Sequence, residues 1–190
     1  MMMPFAALTQ FFQFVDRNPS LRWAIGCGMT VFSVLVCLLL LPTRFPGMEL
    51  AGIGPNWLLI WVVAWSLKRS VWSGMTAGLV LGLLQDAMTE NHPTHALSLV
   101  LAGFLTSKLQ KQRFLQEDFI SVALVTFGMA VVAETVMALQ FSFLGTRTLI
   151  DIWKHHQLIA LSSAILSSLW APVLYFPLNQ GWRWSGIEDE

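Results

Sequence analysis

Charge is what this chain of 190 residues has least of: Asp, Glu, Lys and Arg together make up 12% of it, against about 25% in an ordinary soluble domain. That deficit excludes a typical water-solvated surface. The hydrophobic residues, 55% of the total, fall into long segments rather than short amphipathic ones, which is the composition of an integral membrane protein. Formal net charge is zero, from 11 basic and 11 acidic residues, so bulk charge indicates neither a nucleic-acid partner nor a strongly basic membrane-surface patch. Cysteine is nearly absent. Cys27 and Cys37 share one apolar run, and their separation of roughly 15 Å on a helix is too large for a mutual disulfide. Catalytic signatures are missing too. No nucleotide-binding loop, nucleophile elbow, metalloprotease helix or pair of intramembrane aspartates occurs, so no enzyme activity, catalytic residue or cofactor is expected.

What is present reads as an all-α polytopic membrane protein. Residues 21–41, 118–142 and 158–178 are the strongest spans, each long enough to cross a hydrocarbon core of about 30 Å. Residues 70–88 and 95–109 are shorter candidates. The run from Pro55 to Leu67 reaches only about 20 Å; beginning it at Leu50 gives enough length but includes Gly52, Gly54 and Pro55, so a kink or half-helix is expected near that end. The expectation is therefore a compact bundle of six transmembrane helices over residues 21–180. A lead over 1–20 precedes it, and a tail over 181–190 follows. In the lead, Phe5, Leu8, Phe11, Phe12 and Val15 recur at helical spacing, as in an interfacial amphipathic segment, and a disordered lead is the alternative. Arg17 is the first basic residue and Asp16 precedes it, so the basic region and small-residue cleavage site of a secretory signal are not expected here.

Lys and Arg favour cytoplasmic loops. With the N-terminus inside, Arg17, Arg22, Lys68, Arg69, Lys108, Lys111, Arg113 and Arg183 are cytoplasmic, and only Arg44, Arg147 and Lys154 lie outside. Both termini are therefore placed in the cytoplasm. Trp23, Trp57, Trp153, Trp182 and Trp184 fall near span ends, where amphipathic rings settle among headgroups; Trp61 and Trp65 fit that belt less well.

The most informative window is GMTAGLVLGLLQD, residues 74–86. Gly74, Gly78 and Gly82 recur every fourth residue and so line one shallow groove of a helix, with Asp86 at its end. A groove without side chains lets two backbones approach closely in lipid. Its occupant is either a helix of the same chain or the transmembrane helix of a partner. Residues 158–178 offer a candidate mate, because Ala160, Ser163, Ala164, Ser167, Ser168 and Ala171 form a second small-residue face with hydroxyls. Asp86 reads either as a helix-end carboxylate among headgroups or as an acceptor that ties neighbouring helix ends to the bundle. Glu134 lies deeper in its span, where a carboxylate needs a donor from the structure, a partner or a substrate. His92 and His95, with His155 and His156, are the four histidines; Pro93 disfavours a helical ligand pair, and no metal site is expected.

The stretch from Pro55, Asn56, Trp57, Leu58 and Leu59 through Gly74, Gly78, Gly82, Leu83 and Asp86 to Ala96, Leu97 and Ser98 resembles the bacterial rod shape-determining protein MreD family, as a divergent member. The resemblance implies a non-enzymatic component of the inner membrane in the cell-elongation machinery. Such a component would help link an MreC-like protein, and the peptidoglycan glycosyltransferase and transpeptidase, to cytoplasmic MreB filaments. A rival reading is a small-molecule binder similar to the substrate-binding subunits of energy-coupling-factor transporters. There, Trp57, Asp86, Glu134 and the histidines would line one outward pocket. A third is a proton or ion relay through Asp86 and Glu134.

Overall fold

The computed structural model describes residues 18–43, 47–50, 52–89, 94–111, 118–144 and 149–186, with side chains from 157 onward in the last segment. Six helices make up the described fold: α1 (Pro19–Leu40), α2 (Trp57–Ser66), α3 (Val71–Met88), α4 (His95–Lys111), α5 (Phe119–Leu144) and α6 (Leu149–Ser185). The described residues contain no strand, only an isolated bridge between Leu50 and Ile53. Three segments are long and apolar enough to cross a membrane: Pro19–Leu40, Phe119–Phe143 and Gln157–Ser185. The proposed interfacial lead lies almost wholly outside the described residues.

At the centre sits α2, which is short and apolar throughout. Leu58, Leu59, Ile60, Val62 and Val63 are completely buried, and Trp57, Trp61, Ala64 and Leu67 nearly so. It touches all five other helices. The helix starts at Trp57 rather than Leu50 because Gly52 adopts a left-handed φ of +78° and the Leu50 and Ile53 backbones pair with each other at 2.9 and 3.0 Å. Asn56 then opens the helix: its Oδ1 accepts the Leu59 N–H at 3.1 Å, satisfying one of the unpaired donors of the first turn. The Asn56 N–H itself donates to Ser167 Oγ on α6 at 3.0 Å. Ten residues span only about 15 Å, and irregular backbone at membrane depth is tolerated where protein encloses it.

Alternate helix directions define two ends of the bundle. One carries Asn56, Asp86 and Gln140; the other carries Arg22, Ser66, Arg69 and Trp182. At this second end three tryptophans interlock. Trp61 and Trp65 stack with centroids 5.1 Å apart, and Trp182 meets both edge-on at 6.0 and 5.1 Å. Each indole N–H donates to a hydroxyl on another helix: Trp61 to Ser33 at 2.9 Å, Trp65 to Ser73 at 3.1 Å and Trp182 to Thr30 at 3.0 Å. The Arg69 guanidinium lies 3.5 Å from the Trp65 ring centroid, a close cation–π contact.

Two sequence expectations are corrected here. Trp182 and Trp57 do not belong to a headgroup belt; both rings are buried, Trp182 in the cluster and Trp57 against Trp170 at 5.8 Å. The helix expected over 158–178 continues through Ser185, so residues 181–185 of the expected tail are helical. The same contacts explain both changes, because burying Trp182 requires the helix to persist beyond it. Arg22 adds a link, donating through Nε to the Trp184 carbonyl at 3.0 Å.

Loss of the Trp182 ring leaves a cavity and three orphaned packing partners, so Trp182→Ala is expected to destabilise the fold by about 3–5 kcal/mol. Ser167→Ala removes one helix-to-helix hydrogen bond and is expected to cost about 1 kcal/mol. Thermal unfolding of the purified variants in one detergent checks the order; equal midpoints for the two would contradict the central role given to the tryptophan cluster.

Candidate functional site

The glycine face of α3 is filled from within the chain. Helix α4 runs antiparallel against it, and the contacts step along both helices in register. A Cβ on Gly74 would lie 2.8 Å from the Gly103 carbonyl oxygen and 2.8 Å from Ser66 Oγ. One on Gly78 would lie 2.6 Å from the Leu99 carbonyl carbon, and one on Gly82 2.7 Å from the Ala96 nitrogen. In all three cases the obstacle includes backbone, which cannot step aside. The mate of the groove is therefore α4, not the 158–178 segment. Sequence reading missed Gly103, whose own Cβ would strike Gly74; the signal was Ala96, Gly103 and Ser107 at helical spacing on α4. Ser107 also donates to the Ser66 carbonyl at 3.2 Å, fastening the hairpin to the end of α2.

The small-residue face of α6 has a different task. Ser163 and Ser167 are both buried, and Ser167 is the hydroxyl that meets Asn56 at the start of α2.

Asp86 closes the α3–α4 hairpin. Its Oδ1 accepts the His95 N–H at 2.7 Å, and its Oδ2 accepts the Ala96 N–H at 3.3 Å. These are the first amide donors of α4, otherwise without a partner in the helix, and a carboxylate there also meets the positive end of the helix dipole. The same Oδ1 lies 2.9 Å from His95 Nδ1. A carboxylate has no hydrogen to give, so Nδ1 carries it. Beside this cap, Gln140 of α5 grips Thr94 by three bonds: Oε1 accepts from the Thr94 N–H at 3.0 Å and from its hydroxyl at 3.2 Å, while Nε2 donates to its carbonyl at 3.0 Å. Asp86, His95, Thr94 and Gln140 thus tie three helix ends together. Gln140 was not singled out in the sequence, since a lone Gln near the end of an apolar span carries no pattern.

The groups that a pocket would need do not converge. Trp57 lines a cavity of about 170 Å³ with Glu49, Gly52 and Pro55. Asp86 is engaged in the cap, and Glu134 opens onto a separate cavity of about 260 Å³ between α5 and α6. His95 is bound to Asp86; His92 lies outside the described residues, as do the side chains of His155 and His156. From the Asp86 cap the contacts reach Gln140, whose Nε2 also donates to Met137 Sδ at 4.0 Å, but none of them reaches Glu134, so they do not join the two acids of the relay. The shared outward pocket is corrected on the same ground: α3 presents Asp86 to α4, whereas α5 presents Glu134 to its own seam with α6.

Two substitutions test the hairpin. Asp86→Ala leaves the first donors of α4 without their acceptor and is expected to cost about 1–3 kcal/mol, with Asp86→Asn retaining part of the loss. Gly78→Leu drives a side chain into the Leu99 backbone and is expected to abolish folding rather than weaken it. Detergent-solubilised yield and thermal midpoint report both; a Gly78→Leu protein as stable as the parent would refute the packing described.

The family model described as rod shape-determining protein MreD matches residues 8–180 of the chain. No curated protein and no solved structure matches it. The match reaches all six helices, well beyond the stretch from Pro55 to Ser98 that carries the resemblance. The chain belongs to the MreD family and, with three helices long and apolar enough to cross a membrane, is a rod shape-determining membrane protein.

Proposed function

We propose that this protein is a non-enzymatic adaptor of the bacterial inner membrane that crosses it six times with both termini in the cytoplasm. It helps couple an MreC-like protein, and the peptidoglycan glycosyltransferase and transpeptidase of cell elongation, to MreB filaments. The observation that carries the reading is how the polar groups are used. Asn56, Ser167, Asp86, Gln140, Ser107 and the hydroxyls under the tryptophans each hold one helix to another. The outward faces carry large apolar side chains instead, among them Phe32 and Leu39 on α1, Val80 on α3 and Leu124 on α5. Such a bundle offers membrane-exposed faces to other helices and keeps its interior for its own rigidity. Family membership supports the same assignment.

The charge distribution supports the orientation. Arg22, Lys68, Arg69, Lys108 and Arg183 all fall at the Trp182 end of the bundle, where the positive-inside bias puts the cytoplasm. In this arrangement α2 does not cross by itself; the irregular segment before Asn56, buried at Pro55 and exposed at Leu50, Gly52 and Gly54, completes its path.

Tagged protein isolated from native membranes is expected to retain an MreC-like partner, and cells lacking the protein are expected to lose their rod shape until it is resupplied. Failure to retain that partner under mild solubilisation and after cross-linking would defeat the adaptor assignment. Orientation is tested separately, in a background with Cys27 and Cys37 replaced. A membrane-impermeant thiol reagent is expected to label Thr89→Cys in intact cells and Lys108→Cys only after permeabilisation; the reverse pattern would invert the topology.

A further inference from the structure

The cavity between α5 and α6 places three polar side chains, Glu134, Thr135 and Gln157, on an otherwise apolar outward face. Glu134 forms no hydrogen bond or ion pair among the described residues, in contrast to Asp86 with its three contacts. Its depth is what makes this unusual. On α5, Glu134 lies about 15 Å from the Leu144 end and about 22 Å from the Phe119 end, so it sits roughly 10 Å inside the hydrocarbon boundary even when the helix overshoots both sides of a 30 Å core equally. Lipid headgroups and their amines lie at that boundary and do not meet the carboxyl. A carboxyl group at this depth without a donor is costly; Gln157 lines the same cavity but makes no hydrogen bond to the carboxyl, and a donor on another membrane-spanning helix can reach it from the open side.

The rim of the cavity suits such a helix. Ala138 and Ala160 flank the acid from the two sides, and small residues let a foreign backbone approach to van der Waals contact. Thr135 and Leu161 complete the face, and Leu161 is 54% exposed. A second copy docking through this same face would bring two carboxyls toward each other, which like charges oppose.

We propose that the Glu134 face of α5 and α6 is the seat of a transmembrane helix from another polypeptide, one that presents a hydrogen-bond donor (an amide, hydroxyl, ammonium or guanidinium group) to the Glu134 carboxyl within the bilayer. The inference rests on the adaptor reading and gives it a contact point. It also separates two surfaces that sequence reading treated alike, since the glycine face is closed and the acid face is open.

The experiment places a photo-cross-linking residue at Leu161 or Thr135, with Val80 on α3 as the control, in the full-length protein in native membranes. The expected product at 161 and 135, absent at 80, is an adduct whose partner peptide comes from a membrane-spanning segment carrying a donor side chain. Glu134→Leu is expected to lower its yield about five- to thirtyfold, as loss of one intramembrane hydrogen bond worth about 1–2 kcal/mol requires. Glu134→Gln, which keeps an acceptor, is expected to retain at least about half. Ala160→Trp blocks the face without touching the acid and is expected to remove the adduct, which guards against a Glu134→Leu protein that fails to fold. Adducts to lipid alone, adducts to a second copy alone, or a yield unchanged in both Glu134→Leu and Ala160→Trp would overturn the proposal. Failure of the unaltered protein to retain its MreC-like partner would instead count against the adaptor reading, so the two outcomes are distinguishable.

Discussion

Everything in this fold follows from the enclosure of α2. A helix of ten residues leaves unpaired amides at one end and unpaired carbonyls at the other, and its length places at least one of those ends below the membrane surface. Lipid offers nothing to pair them with, so protein must. Asn56 caps the start from within the helix and takes Ser167 from α6 as its own partner. Ser107 of α4 reaches the carbonyl of Ser66 at the other end. The remaining helices are held where these contacts require them, and the bundle is in effect the casing for one short central rod.

The tryptophan cluster is the apolar counterpart of that enclosure. Trp61 and Trp65 project from α2 itself, Trp182 arrives from the far end of the chain, and three hydroxyls on α1 and α3 receive their N–H groups. Buried indoles need such partners, which fixes the rotation of α1 and α3 about their axes more tightly than apolar packing alone does. At the opposite end the Asp86 cap and the Gln140 clamp do the same for α3, α4 and α5. The ends are thus held by directional polar contacts and the middle by close packing.

Much of this was legible in the sequence where a pattern had a single structural solution. The four-residue glycine period announced a close helix contact, and Asp86 at its end announced an acceptor for a neighbouring helix start. The mate could not be read, because Ala96, Gly103 and Ser107 on one helix and Ser163, Ala164 and Ser167 on another are equally small, and only three-dimensional register separates a groove filler from a cap partner. The tryptophans misled for a related reason. Position near a span end is the same whether an indole points to headgroups or into the bundle, and the Thr30 hydroxyl that draws Trp182 inward is 152 residues away in the chain. The break before α2 was visible in Gly52, Gly54 and Pro55, but its extent depended on the Leu50 and Ile53 pairing, which leaves no compositional trace.

The reach of Trp182 and Ser167 back to α2 has a consequence for how the protein is made. The central rod is synthesised early and one of its walls, α6, arrives only after α3, α4 and α5. Until then α2 lies open along one side, with its starting amides and its indoles exposed to lipid or to the insertion machinery. The α3–α4 hairpin, by contrast, is local and can close as soon as both helices have emerged. Biogenesis therefore proceeds from a local hairpin to a core that α6 completes, and chains stalled before residue 167 present an unfinished bundle to membrane quality control.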